Sequence, residues 1–394
     1  MRMPRVTWFE RLKGDRVDLC LDENPFHLAG GGQPGGRGML VSPGVQVEVQ
    51  DCRVRDGREV LTGRIIGGDM ALGETVEAQV DLQWRDWVAR MHSGEHALSR
   101  ALERNRPGLR VFKVNIGERE GLITLDFQGD LTWDLLWVAE EEANRVVGED
   151  LPVTVEELTG YRAAEDPDLK ANWERLQLDP PEIIRVVSLG GYDRVACCGV
   201  HVERTGQIGG VMVLGFKGSS PRWEVRYTVD PVRTQLMMEW SRMVRRMSRE
   251  IGCPPEDIER VYWGAFEDAK AKAKLLDRLR DHLCLPFEER VRGGHRFHLL
   301  DLRPLGMVPA EMMNFAVRRR VESDPSSLGV GVVPAEQGLR FVACRGAGCP
   351  VDLSAWLKRM RPRGLKGGGS PQMVSGVAEE CPLDEWIDSM LEGV

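Results

Sequence analysis

A chain of 394 residues is long enough for two or three domains, each with its own core. Its composition, 42% hydrophobic and 29% charged, is that of an ordinary globular protein, and a net charge of −8 argues against general nucleic-acid binding, so any RNA contact needs a local basic patch. Without an h-region or an apolar run of about eighteen residues, neither export nor membrane insertion is indicated; nine cysteines, odd in number and mostly scattered, suit a reducing cytoplasm.

Residues 1–85 are read first. VDLCLD, VQVEVQDCRV and TVEAQVDLQW each alternate with a period near two, the mark of half-buried strands. Between the first two lies AGGGQPGGRG, residues 29–38, too rich in glycine for a strand or helix. A small β-barrel or curled sheet is expected here. From about residue 86 the period lengthens, and RDWVARMHSGEHALSRALERN places Val88, Met91, Glu95, Leu98 and Leu102 on one helical stripe, with His92 and His96 at its edge. Gly94 costs such a helix roughly 1 kcal/mol relative to Ala, so it serves either the close approach of a ligand or packing.

A strand (GLITLDF), a helix (DLLWVAEEEANRVVG) and a series of glycine-linked strands through RWEVRYTV complete an α+β region over 86–232. Residues 233–288 read as a helical arm broken by GCPPED at 252–257, with a narrow apolar seam along WGAFEDAKAKAKLLDRLRDHL. A C-terminal α/β domain is expected over 289–394, with strands FHLLDL, GVGVV and LRFVAC. The predicted fold class is therefore mixed α/β of the α+β type.

The chemistry is suggested by two spaced pairs. His92 and His96 stand four apart, so both imidazoles project from one side of a helix. Read literally, HSGEH is the H-x-x-E-H pattern of a zinc peptidase. In CCGVH, Cys197 and His201 repeat the spacing of four, and zinc accepts imidazole and thiolate together, so the two pairs could complete a tetrahedron. A thiolate donor makes zinc less electrophilic and weighs against the peptidase. Cys197 is preferred to Cys198 as ligand for its spacing, with Cys198 taken as a small core residue. Glu95 fits either a supporting or a general-base role.

HSGEH followed by CCGVHVERTGQIG resembles the paired zinc motifs of alanyl-tRNA editing proteins and of the editing domain of alanyl-tRNA synthetase. NPFHLAGGGQPGGRG is similar to that family's glycine loop, F-Y-P-E-G-G-G-Q-P-x-D-x-G. LKGGGSPQMVSG is similar to the signature of the DHH-associated domain that ends the longer editing proteins. Four motifs in order, with the barrel starting at residue 1, imply a free-standing, long-form editing enzyme. In domain terms these are a glycine-rich barrel (1–85), a zinc-binding deacylase domain (86–232), a helical linker (233–288) and a DHH-associated domain for tRNA binding and dimerisation (289–394).

The resemblance implies a cytoplasmic, Zn2+-dependent aminoacyl-tRNA deacylase that hydrolyses Ser-tRNA(Ala) or Gly-tRNA(Ala). A second hydrolytic site is the usual answer where one methylene or hydroxyl discriminates poorly. The expected metal ligands are His92, His96, Cys197 and His201, and zinc would either polarise a water or orient the substrate's amino group. Gly31, Gly32, Gln33 and Glu95 are the candidate catalytic residues, the loop offering either backbone N–H groups to the ester or an ordinary barrel turn. Lys358, Arg359, Arg361, Arg363 and Lys366, with Gly367, Gly368 and Gly369, form an acid-free stretch suited to phosphate. The implied partners are tRNA(Ala) and a second copy of the chain through the C-terminal domain. Ala29, Gly36 and Val200 depart from the family's glutamate, aspartate and threonine. A zinc-stabilised RNA-binding module without hydrolysis is the alternative these losses leave open.

Overall fold

A computed structural model describes residues 3–171, 173, 182–279, 285–306, 308–336, 338–380 and 382–392. The chain forms two compact units, Met1–Pro255 and Glu256–Val394. Both combine helices with mainly antiparallel sheets, in keeping with the expected mixed class. No described helix is long and apolar enough to cross a membrane.

The first unit begins with a six-stranded antiparallel sheet built from β1 (Val6–Arg11), β2 (Arg16–Leu21), β3 (Gly38–Val41), β4 (Val45–Arg55), β5 (Arg58–Gly68) and β6 (Glu77–Val80), in the order β1-β2-β5-β4-β3-β6. The sheet curls until its edges approach: Arg5 bridges Thr75, and Val6 N–H donates to Glu74 O over 2.9 Å. Alternation in β4 sends Val45, Val47 and Val49 inward to meet Val17, Leu19, Leu40 and Leu61. The expected strand TVEAQVDLQW is shorter than its alternation suggested. Asp81 accepts a hydrogen bond from Trp84 N–H and caps a helix that has already begun at Leu82.

That helix, α1 (Leu82–Asn105), is the axis of the next layer. It is covered by a four-stranded sheet of β7 (Arg110–Ile116), β8 (Gly121–Asp126), β12 (Val211–Ser219) and β13 (Arg222–Val229), ordered β12-β13-β8-β7, and by α2 (Trp133–Gly148). A second sheet orders β11-β10-β9, from β9 (Val153–Thr159), β10 (Ile183–Leu189) and β11 (Asp193–Ala196), beside the short α3 (Gly160–Glu165). The patterning did not single out β7 or β9, whose exposed polar positions blur the alternation. Covered on several sides, α1 buries not a stripe but nearly every residue from Trp87 to Ser99, the two histidines included. Gly94 is explained by packing: a Cβ there would lie 2.6 Å from Val229 Cγ1. The unit ends in α4 (Val232–Ile251), which has no buried residue.

The second unit opens with α5 (Ile258–Leu279); the last residues of the expected helical run, 280–283, lie outside the described residues. Its sheet has the order β14-β15-β16-β17-β19-β18, from β14 (Glu288–Arg292), β15 (His295–Asp301), β16 (Leu328–Pro334), β17 (Leu339–Arg345), β18 (Lys366–Gly369) and β19 (Met373–Ala378). Among the described strands of this sheet the β15–β16 pair is parallel and the others antiparallel, and α6 (Ala310–Glu322) makes the crossover. On the opposite face α7 (Leu353–Met360) and α8 (Leu383–Leu391) bring Trp356 and Trp386 against Phe341.

Candidate metal centre

The four expected donors converge. His92 and His96 come from the buried middle of α1, and Cys197 and His201 from the loop after β11, with all four ligand atoms within 4.8 Å of one another. The thiol sulfur lies 3.5 Å from His92 Nε2 and 3.4 Å from His201 Nε2. A soft thiolate with three imidazoles is a donor set that zinc accepts, so the cluster could hold that ion.

What the remote nitrogens do strengthens the fit. His92 Nδ1 meets Gln33 Oε1 at 3.1 Å, His201 Nδ1 meets Ser93 Oγ at 3.1 Å, and His96 Nδ1 stands 3.4 Å from Asp193 Oδ2. The amide oxygen of Gln33 is an acceptor only, because its Nε2 already donates to Leu28 O over 2.7 Å. His92 Nδ1 therefore carries the proton and Nε2 keeps its lone pair. Ser93 Oγ accepts from Val202 N–H over 3.2 Å and has a further lone pair for His201. Two imidazoles are thus oriented by a hydrogen bond at Nδ1 and His96 by the facing carboxylate of Asp193, the arrangement in which metal-bound histidines are usually found.

The ligand loop is folded around the sulfur. Gly199 N–H points to Cys197 Sγ at 3.4 Å, while Arg185 Nη1 donates to Cys197 O at 2.7 Å and to Gly199 O at 2.9 Å. A Cβ on Gly199 would lie 2.0 Å from His92 Cε1, so only glycine lets the loop approach the ring.

The electrostatics follow from this crowding. Burial alone would raise the Cys197 thiol, but the imidazoles of His201, His92 and His96 crowded around its sulfur hold it down to about 2, a thiolate. Burial lowers His201 to about 3, which keeps it neutral. For His96 burial acts in the same direction, yet Asp193, Cys197 and Glu95 push it up to about 10. That proton is one a metal ion would displace on binding. Asp193 is buried and also forms an ion pair with Lys170, Nζ to Oδ1 at 2.6 Å.

Glu95 is buried, accepts a hydrogen bond from Ser99 Oγ, and holds Oε2 3.9 Å from His96 Nε2. Gly31 and Gly32, at φ +61 and +91, form a tight turn closed by the paired hydrogen bonds of Gly30 and Gln33, both 3.1 Å. A Cβ on Gly32 would strike Val114 O at 2.3 Å, so the turn is pressed against β7. Gln33 leaves this turn to accept from Val200 N–H at 3.0 Å as well as facing His92. The Val200 side chain packs against the hydrophobic core. Cys198 is exposed, not the core residue expected, because the loop turns it outward while Cys197 faces the histidines.

The acid-free C-terminal stretch is ordered differently from a loop. Lys358 and Arg359 end α7, Arg361 and Arg363 occupy a single 3-10 turn, and Lys366–Gly369 is the edge strand β18, with every one of these residues exposed. Arg359 donates to Ser389 O over 3.1 Å. Gly367 and Gly369 lie so close to β19 that a Cβ would meet its backbone at 2.2 and 2.1 Å. Gly368 has open space around it.

Ser93 and Gly199 sit inside the two motifs and were within reach of the sequence. Asp193, Lys170 and Arg185 were not, because nothing local marks them.

Residues 184–226 match the family model described as the threonyl and alanyl tRNA synthetase second additional domain. The alanyl-tRNA editing protein AlaX-L of Pyrococcus horikoshii is 26% identical over 405 residues, covering 97% of this chain and 93% of that one. The alanine–tRNA ligase of Thermobifida fusca is 29% identical over 382 residues, covering 92% of this chain but 42% of the ligase, so the chain spans well under half the length of that relative. A solved structure, the C-Ala domain of Aquifex aeolicus alanyl-tRNA synthetase, aligns with 27% of this chain and 99% of its own at 15% identity, with a TM-score of 0.24, too low to establish a shared fold. Over nearly its whole length, then, this chain is similar to an alanyl-tRNA editing protein.

Proposed function

We propose that the protein is a zinc-dependent deacylase that hydrolyses the ester of Ser-tRNA(Ala) or Gly-tRNA(Ala), acting in the cytoplasm. The observation that carries this reading is the convergence of His92, His96, Cys197 and His201, each imidazole backed at Nδ1, in a relative of editing proteins. Zinc held by His92, His96, Cys197 and His201 would orient the substrate's amino group, or polarise a water where its four-donor sphere expands to a fifth ligand. Glu95 Oε2, beside His96 Nε2, takes the proton as water oxygen bonds to the ester carbon, and the proton passes to the ribose oxygen when the ester bond breaks. Gln33 positions His92 and the Val200 backbone together, and the Gly31–Gly32 turn lies next to it on the substrate's approach. The first unit, 1–85 with 86–232, carries the chemistry. The domain over 289–394 contributes tRNA affinity through Lys358, Arg359, Arg361, Arg363, Lys366 and the Gly367–Gly369 edge, and pairs with a second copy.

Pure zinc-loaded and metal-free proteins are compared on Ser-tRNA(Ala), Gly-tRNA(Ala) and a seryl-adenosine ester. Zinc-dependent hydrolysis of all three is the expected result. Hydrolysis of none, with tRNA binding intact, would favour a zinc-stabilised RNA-binding module.

A further inference from the structure

The helix α4 carries a feature no motif contains. Arg242, Arg245, Arg246 and Arg249 recur at i, i+3, i+4 and i+7 and so share one face, over about 10.5 Å of helix axis. The opposite face is apolar, with Leu236, Trp240, Met243, Val244 and Met247. All four arginines are exposed. Several arginines elsewhere in the first unit find acids: Arg194 pairs with Glu156 and Asp166, Arg204 with Asp150, and Arg226 with Glu120. The four on α4 form no ion pair among the described residues, although Glu239 and Glu250 stand three and four positions from two of them. In a chain of net charge −8 this is a concentrated, unneutralised row of positive charge.

We infer that this face of α4 binds the phosphate backbone of the tRNA. Guanidinium groups suit phosphate because they present a planar fork of donors and are weakly hydrated. The apolar face is exposed as well, and a basic amphipathic helix also suits an anionic membrane surface; the RNA substrate proposed above is what favours the tRNA backbone, and the vesicle measurement below separates the two. The row carries no base-reading geometry, so it positions the RNA without selecting sequence.

The inference rests on tRNA as the partner proposed above, but its test does not depend on hydrolysis. Binding of an uncharged tRNA(Ala) transcript is measured across a salt series for the full chain and for R242Q/R245Q/R246Q/R249Q. Glutamine keeps helix propensity while removing charge. Each phosphate left unneutralised lowers the slope of log K against log salt by about 0.7–0.9, so the variant's slope falls by about 3, with at least roughly tenfold weaker binding at about 0.1 M salt. The fourfold lysine variant retains most of the slope. Melting temperature and zinc content serve as fold controls. If the fourfold variant melts early, the double variants R242Q/R246Q and R245Q/R249Q each lower the slope by about half as much. An unchanged slope overturns the inference, as does arginine-dependent binding to phosphatidylserine vesicles with tRNA binding intact. A chain that hydrolyses its ester while its salt slope ignores the row refutes the row alone. A chain that fails to hydrolyse, yet loses slope with the row, refutes only the proposed chemistry.

Discussion

Replacing Gly199 by Ala asks whether the close approach of the ligand loop to His92 matters. The new Cβ would stand 2.0 Å from His92 Cε1, 2.2 Å from Nδ1 and 2.9 Å from Gln33 Oε1. None of these atoms is the free end of a flexible chain: the ring is held between the metal site and Gln33, and Gln33 is tied to Leu28 and Val200. Relief requires the ring to move, at about 1–3 kcal/mol for overpacking and about 1 kcal/mol for each hydrogen bond broken. A total near 3 kcal/mol lowers the melting temperature of a unit this size by about 6–12 °C. Loss of the group that orients a metal ligand should weaken zinc binding by about 10–100-fold. Gly94→Ala is the matched control, since its Cβ would press on Val229 at 2.6 Å, on the side of α1 away from the site. There the helix-propensity gain of about 1 kcal/mol partly offsets overpacking, and zinc affinity should stay unchanged. Zinc dissociation constants by chelator competition, with thermal melts, decide the matter. Normal zinc affinity in Gly199→Ala, or equal zinc loss in both variants, would refute the reasoning.

Cys197→Ala and His96→Ala each remove one donor, and metal analysis should find most of the zinc gone; full occupancy in both would exclude this cluster as the site. Asp193→Asn strips a buried charge from between His96 and Lys170. Burial would raise its pKa, yet His96 and Lys170 hold it below the usual range, so its stabilisation is complete above an unfolded-state value of about 3.9 and vanishes as pH falls through the folded value. Urea melts should show the variant weaker by about 3–5 kcal/mol at pH 7, with the gap closing in acid. Val200→Thr places a hydroxyl against the core, so the melt should fall by about 1–3 kcal/mol while the kcat/KM ratio for Ser-tRNA(Ala) over Gly-tRNA(Ala) stays constant. A shifted ratio at unchanged stability would mean that this side chain serves the pocket.

The four metal donors were legible because each pair is close in sequence: a spacing of four on α1 fixes where His92 and His96 point, and a short loop holds Cys197 near His201. The long alternating runs of β4 and the α2 pattern were legible for the same reason, being periodic over many residues. The start of α1 was not, since Asp81 ends a strand and caps a helix at once, and alternation continues across the junction. Burial on several sides also hid the width of the apolar surface of α1. Only the tertiary structure could bring Gln33 and Asp193 to the remote nitrogens of His92 and His96, because those contacts join a loop of the first sheet and a strand of the third to a helix far away in sequence. It also decided that Cys198 faces outward and Val200 inward, two residues apart in one loop, where no repeat of backbone geometry exists from which a pattern could foretell a side chain's direction.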